Sequence, residues 1–315
     1  MKSFLKIVLG SCVGVIFAMA LFSFLSVIAF SSMSSSLTGG GGKEISPNSV
    51  LRISLEQPMP DKTNNIESSP LSFANRTFVG IVDAVKLIKH AKTDENIKGI
   101  YINPGPGMAI GSAALKDLHD ALLDFKTSKK FVIAYGEALS QGGYYLSSTA
   151  DDIYLNPVGE VYFKGLGMSI MYFKNLMDKL KIKMNVFYVG KFKSATEPFR
   201  SDHMSPENRL QLKTFLNGMF SQMVEDIARN RKLDPAAVKK VADELSIQAP
   251  EDALALNFID KLAYEDEVFE EIKTKLKLKA KDKINFVSLN EYYDGTTLEK
   301  DYNAKEKIVL IYAEG

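Results

Sequence analysis

The segment from Val189 to Met204, VGKFKSATEPFRSDHM, holds the side chains best suited to chemistry: Lys191 and Lys193, two residues apart and beside Ser194. A lysine amine acts as a general base only when its pKa falls toward neutrality, which needs an apolar, partly desolvated setting or a neighbouring cation. Alternation across Gly190 to Ser194 sets Phe192 on one side and both lysines on the other. The pattern alone leaves two readings open, a solvated lysine pair or a base placed to take a proton from a hydroxyl.

Other chemistries have less to work with. The single cysteine, Cys12, lies in an apolar run, so neither a disulfide nor a cysteine zinc site can be built within the chain. There is no HExxH, and His90, His119 and His203 fall in separate elements, the first two as surface positions on amphipathic helices. No GxSxG elbow occurs, and Ser205, next to His203, is better read as a helix cap than as part of a triad. Gly105, Pro106 and Gly107 follow a predicted strand without the spacing of a dinucleotide or phosphate loop. They form either a tight turn or a loop whose N–H groups once made an oxyanion hole. No metal and no cofactor is expected. With 39 basic against 38 acidic residues the formal charge is +1, and no field points to a nucleic-acid partner.

The elements that must position these residues follow from hydrophobic periodicity. Lys2 and Lys6 precede an apolar run from Ile7 to Phe30. As a helix it spans about 36 Å, enough for a hydrocarbon core of about 30 Å, and it is longer than the roughly 7–15 apolar residues of a cleaved signal. The leading lysines put the amino terminus in the cytoplasm. A Ser- and Gly-rich tether follows from Ser31 to Gly42. Strands are then expected at Ser49–Leu55, Ile97–Asn103, Phe131–Tyr135 and Ile153–Leu155. Helices are expected at Ile81–Ala91, Ala113–Phe125 and Gly143–Thr149. That alternation predicts an α/β fold around a mostly parallel sheet. Beyond Pro157 the expectation is a helix at Tyr172–Leu180, a strand at Met184–Val189 and a long helix from Pro206 to about Arg231, capped by Ser205. Helices opened by Asp234-Pro235 and Pro250-Glu251 follow, with a left-handed Asn257 and a last helix over Val268–Lys277. Ile308–Tyr312 reads as a new strand similar to the first, as if a second copy of the fold began there.

The motif GKFKSATEPF, with RSDHMS after it, resembles the lysine segment of the long, two-domain signal peptide peptidase A family, whose pattern is roughly G-x-x-K-S-A-x-E-P-F. Further matches are ALLDFKTSKKFVIAYGEALSQGGYYLSSTADDIYLNPVGEV, LMDKLKIKMNVFYVGKFKSA and the ending FIDKLAY, so the resemblance runs from about Val50 to the end, together with the anchor. It implies a ClpP- or crotonase-like superhelical fold in two tandem domains, the first supplying a catalytic lysine and the second a serine. Residue by residue the lysine falls on Lys193 and a variable position on Lys191. The serine position before Gly142 and Gly143 is Gln141, which is no nucleophile, and Ser140 is one residue out of register. Asn257 replaces a glycine of the family's pattern, a mild departure.

On this resemblance the chain divides into an anchor (1–30), a tether (31–47), a peptidase-like domain with the catalytic lysine (48–303) and the first strand of a second domain (304–315). The expected activity is serine endopeptidase cleavage of spent signal peptides and other apolar peptides by a homo-oligomer. It would be anchored in a bacterial inner membrane with its folded part on the extracytoplasmic side. The rival readings are an inactive scaffold or binding homologue and a crotonase-type acyl-CoA enzyme.

Overall fold

Short aliphatic runs and longer amphipathic ones become strands and helices in the expected order. The computed structural model describes residues 14, 19–24, 45–64, 78–107, 110–296, 305, 306, 308 and 311. Among the described residues six strands, β1 Ser49–Ile53, β2 Ile97–Ile102, β3 Phe131–Leu139, β4 Asp152–Val161, β5 Lys261–Leu262 and β6 Asn285–Ser288, form one sheet in the order β5-β4-β3-β2-β1-β6. Every neighbouring pair is parallel, so both faces must be covered.

The period of two decides which side chain goes to which face. Leu51, Ile53, Ile100, Ile102, Val132, Ala134, Ile153 and Leu155 enter the larger core. It also takes side chains of α1 (Ile81–Thr93), α2 (Ser112–Lys126), α3 (Gln141–Ser147), α7 (Pro235–Asp243) and α8 (Pro250–Ala255). Val50, Tyr101, Ile133, Tyr135 and Tyr154 point the other way, onto Val268 and Ile272 of α9 (Glu265–Lys275). A last helix, α10 (Leu289–Gly295), follows β6 and adds Tyr292 to the larger core.

Past Val161 the chain leaves the sheet and forms an arm. It contains α4 (Lys174–Lys179), the single turn α5 (Glu197–Arg200) and the start of α6 (Pro206–Arg231). Ser205 caps α6 by accepting the N–H of Asn208, with Pro206 at the first position, as expected. The carboxy-terminal half of α6 is anchored by buried Val224, Ile227 and Ala228, whereas Leu210 and Phe215 in its first half are exposed.

The expected strand at Met184–Val189 is not formed: the segment has no regular secondary structure and pairs with no strand among the described residues. Its side chains stay exposed at both alternating positions, Phe187 and Val189 almost fully and Met184 and Tyr188 about half, so neither set is buried against a sheet. His119 is a second correction, being wholly buried where a surface position was expected. Its helix face is covered by α6, whose Asn230 donates to His119 Nε2 at 2.8 Å, and its ring stacks on Tyr145 at 4.5 Å.

Of the anchor predicted over 7–30, residues 14 and 19–24 are helical. The rest of it lies outside the described residues, as does most of the strand predicted over 308–312. Among the described residues no helix is long and apolar enough to cross a membrane.

Candidate functional site

The lysine motif forms a turn at the tip of the arm. Gly190 enters it with φ +94°, a conformation that side-chain-bearing residues rarely adopt. Glu197 N–H then donates to Ser194 O at 2.9 Å, Phe199 N–H to Thr196 O at 3.1 Å and Ser201 N–H to Glu197 O at 2.9 Å, closing 194–201 into the single turn α5. Phe173 N–H donates to Pro198 O at 2.7 Å, and the rings of Phe173 and Phe199 stack at 5.9 Å, tying α5 to the start of α4. Lys193 itself is exposed, as are Lys191 and Phe192. Beside it opens a groove of about 470 Å³ lined by Phe187, Tyr188, Val189, Phe192, Thr196 and Gln211, largely apolar side chains around one amine.

Under the turn lies a buried carboxylate. Glu197 is 1% exposed, and its Oε2 accepts from Asn208 Nδ2 of α6 at 2.6 Å and, more distantly, from Tyr172 Oη at 3.4 Å. Burial alone would raise its pKa. Hydrogen bonds from Ser205 and Asn208 and the Arg200 guanidinium outweigh that and hold it below the ordinary glutamate value. Sequence reasoning matched Glu197 to the motif without giving it a task. The one available signal was an acid that recurs in the pattern beside a capped helix start.

The second place of interest is the amino-terminal end of α3, at the carboxyl end of β3. Ser140 is its N-cap: its Oγ accepts the N–H of Gly143 at 3.2 Å, so the hydroxyl already has a structural task. Gln141, at the position where the resemblance puts a nucleophile, turns its carboxamide oxygen to the N–H groups of Lys164 and Gly165, at 3.1 and 2.9 Å. A Cβ on Gly143 would come within 3.2 Å of the Pro104 ring, which brings the Gly105 turn against this helix start. Gly105 has φ +73°, as a tight turn requires.

The structure does not join the two places. Among the described residues no hydrogen bond or ion pair runs from the Lys193 turn to Ser140 or Gln141, whose side chains are bonded to Gly143 and to Lys164 and Gly165. His203 is exposed and pairs with its neighbour Asp202 at 2.5 Å, while Ser205 is spent on its cap, so the two form no catalytic pair. In chemical terms the arm presents an amine and an apolar groove, and the α3 turn presents a helix start whose nucleophile position holds an amide.

Residues 124–279 match the sequence profile described as Peptidase family S49. The chain is 33% identical over 242 residues to Protease 4 of Salmonella typhi, covering 75% of this chain and 39% of that protein. It is 29% identical over 311 residues to Protease 4 of Haemophilus influenzae, covering 92% and 49%. With the chloroplastic serine protease SPPA of Arabidopsis thaliana it shares 22% identity over 252 residues, 79% of this chain and 36% of that one. The chain thus spans about half, or less, of the length of these curated relatives.

Proposed function

This chain belongs to peptidase family S49, of the SppA type, and from that premise we propose that it supplies the general-base lysine of a membrane-anchored serine endopeptidase. The observation that carries the reading is the Lys193 turn, an amine displayed beside an apolar groove within the GKFKSATEPF motif. The substrates are apolar peptides of membrane origin, chiefly released signal peptides, which suit a groove lined by Phe187, Val189 and Phe192. The nucleophilic serine belongs to a second, related domain of ClpP- or crotonase-like fold, because the matching position in this one is Gln141, already hydrogen-bonded through its oxygen.

Lys193 takes the serine hydroxyl proton as Oγ attacks the scissile carbonyl, and returns it to the departing amine. Water, deprotonated by the same lysine, then frees the acyl group from the serine. The apolar run over 7–30 holds the assembly at a bacterial inner membrane, with the folded part on the extracytoplasmic side. Exposed apolar side chains of the arm, such as Met171, Phe187 and Phe215, fit burial in a homo-oligomer.

The test is peptide hydrolysis by the full-length protein. Lys193→Ala should abolish turnover of an apolar peptide amide with the fold intact, while Lys191→Ala, on the variable position, should be far milder. Normal turnover by Lys193→Ala would eliminate the mechanism. The amide at Gln141 also favours a second reading, a fold kept as a binding scaffold, and a full-length protein without any serine ahead of a Gly-Gly pair in its other domain would decide for that reading.

A further inference from the structure

The turn that carries Lys193 is held by a chain of contacts. The Arg200 guanidinium lies 4.0 Å from the centroid of the Tyr188 ring, on the segment that leads into the turn. Its Nη2 reaches the backbone carbonyl oxygen of Lys193 at 3.5 Å and stands 3.7 Å from Glu197 Oε1. Glu197 in turn is gripped through its other oxygen by Asn208, one turn inside the start of α6. A continuous path therefore runs from the long helix, through a buried carboxylate and a planar cation, to the backbone of the lysine.

Stability accounts for only part of this arrangement, through the contacts that hold the Glu197 carboxylate ionised. Removing the Glu197 carboxylate from water is costly even with Arg200, itself a quarter exposed, beside it, and an apolar pair of similar volume often serves a fold as well or better. Moreover, four buried side-chain polar atoms lack a hydrogen-bond partner among the described residues, and three of them belong to this cluster: Thr196 Oγ1, Arg200 Nε and Asn208 Oδ1. Incompletely satisfied polar groups gathered in one place mark a site shaped for something other than stability. What the cluster does achieve is geometric. A lysine side chain is long and flexible, so its amine finds a partner reproducibly only if the backbone beneath it is fixed. A planar fork can stack on a ring, meet a carbonyl and face a carboxylate at once, which an ammonium cannot.

We infer that Arg200 and Glu197 are positioning residues that hold the Lys193 turn in its working geometry, Arg200 directly and Glu197 through Arg200, an inference that rests on the general-base role proposed for Lys193. They do not touch the reacting atoms. Tyr188 contributes only the face of its ring.

The experiment uses the full-length protein and an apolar peptidyl fluorogenic amide, comparing Arg200→Ala, Glu197→Gln and Lys193→Ala by kcat, KM and the thermal midpoint. Arg200→Ala and Glu197→Gln should lower kcat by about 10–100-fold with KM within about twofold and the midpoint unchanged. The inference is overturned if Lys193→Ala is inactive while Arg200→Ala and Glu197→Gln keep the parental kcat. It is overturned equally if their kcat falls only in step with a lowered midpoint, or if the loss lies in KM with kcat unchanged. An active Lys193→Ala would refute the general-base reading itself, and the network would then have no catalytic group to position.

Discussion

Arg231, the last residue of α6, joins that helix to the far edge of the sheet, and its removal should be costly. Its Nη1 and Nη2 meet the two Asp260 carboxylate oxygens at 3.0 and 2.9 Å, while Nε and Nη2 both donate to the Asn257 carbonyl at 3.1 Å. Asp260 is itself engaged with β4, its Oδ2 accepting the N–H of Ile153 at 2.8 Å. The Arg231 side chain is only 9% exposed but that of Asp260 is 37% exposed, so water screens the pair and the full value of a buried ion pair does not apply. A charged hydrogen bond is worth about 1.5–3 kcal/mol before that discount, and a neutral one to a carbonyl about 0.5–1.5 kcal/mol. Together these put Arg231→Ala at about 2–3 kcal/mol of lost stability, or a fall of roughly 5–10 °C in unfolding temperature. Urea unfolding followed by far-UV circular dichroism measures it. A double-mutant cycle with Asp260→Asn should return a coupling of about 1 kcal/mol. Arg231→Lys should recover little, because one ammonium cannot reach both the carboxylate and the Asn257 carbonyl. A loss under about 0.5 kcal/mol for Arg231→Ala, or a cycle without coupling, would refute the reasoning.

Two further outcomes are expected. Ser140→Ala should cost about 1 kcal/mol through loss of the α3 cap and leave peptide hydrolysis by the full-length protein unchanged; loss of hydrolysis at full stability would make Ser140 a nucleophile after all. His119 is held below its ordinary pKa of 6.5, chiefly by burial and to a lesser degree by Lys116, against the opposing pull of Asp120 and Asp226. The unfolded chain therefore takes up the proton first, so the stability contributed by the neutral ring is complete above that value and is lost as pH falls from it toward the folded pKa. Urea midpoints at about pH 7.5 and about pH 5.5 should differ less in His119→Phe, which keeps the stack on Tyr145, than in the parent; an equal difference would assign the slope to other groups.

The central sheet was legible because its four long strands alternate between two apolar faces, and the helices because their apolar stripes repeat at helical spacing. The edge strands were not. Lys261–Leu262 and Asn285–Ser288 are too short to show a period and exist because β4 and β1 offer them open hydrogen-bonding groups. Met184–Val189 shows the converse, a largely apolar run that joins no edge of the sheet. His119 lies among Lys116, Asp117 and Asp120, a surface-like neighbourhood along the helix, and is buried only because α6 crosses over it. At the candidate site a local motif was enough to single out Lys193. The support beneath it was not legible, since Glu197 meets Tyr172 from well upstream and Asn208 from the next helix, a convergence that no window of sequence displays.

The place of β6 in the sheet sets a constraint on how the chain is made. The first strand, Ser49–Ile53, pairs with β2 on one side and on the other with Asn285–Ser288, synthesised more than two hundred residues later. At ribosomal speeds of about 5–20 residues per second, that flank stays uncovered for roughly ten seconds or more. During this interval a hydrophobic strand offers its unpaired backbone to any passing chain. The nascent protein thus needs either a holding chaperone or delayed collapse until β6 emerges.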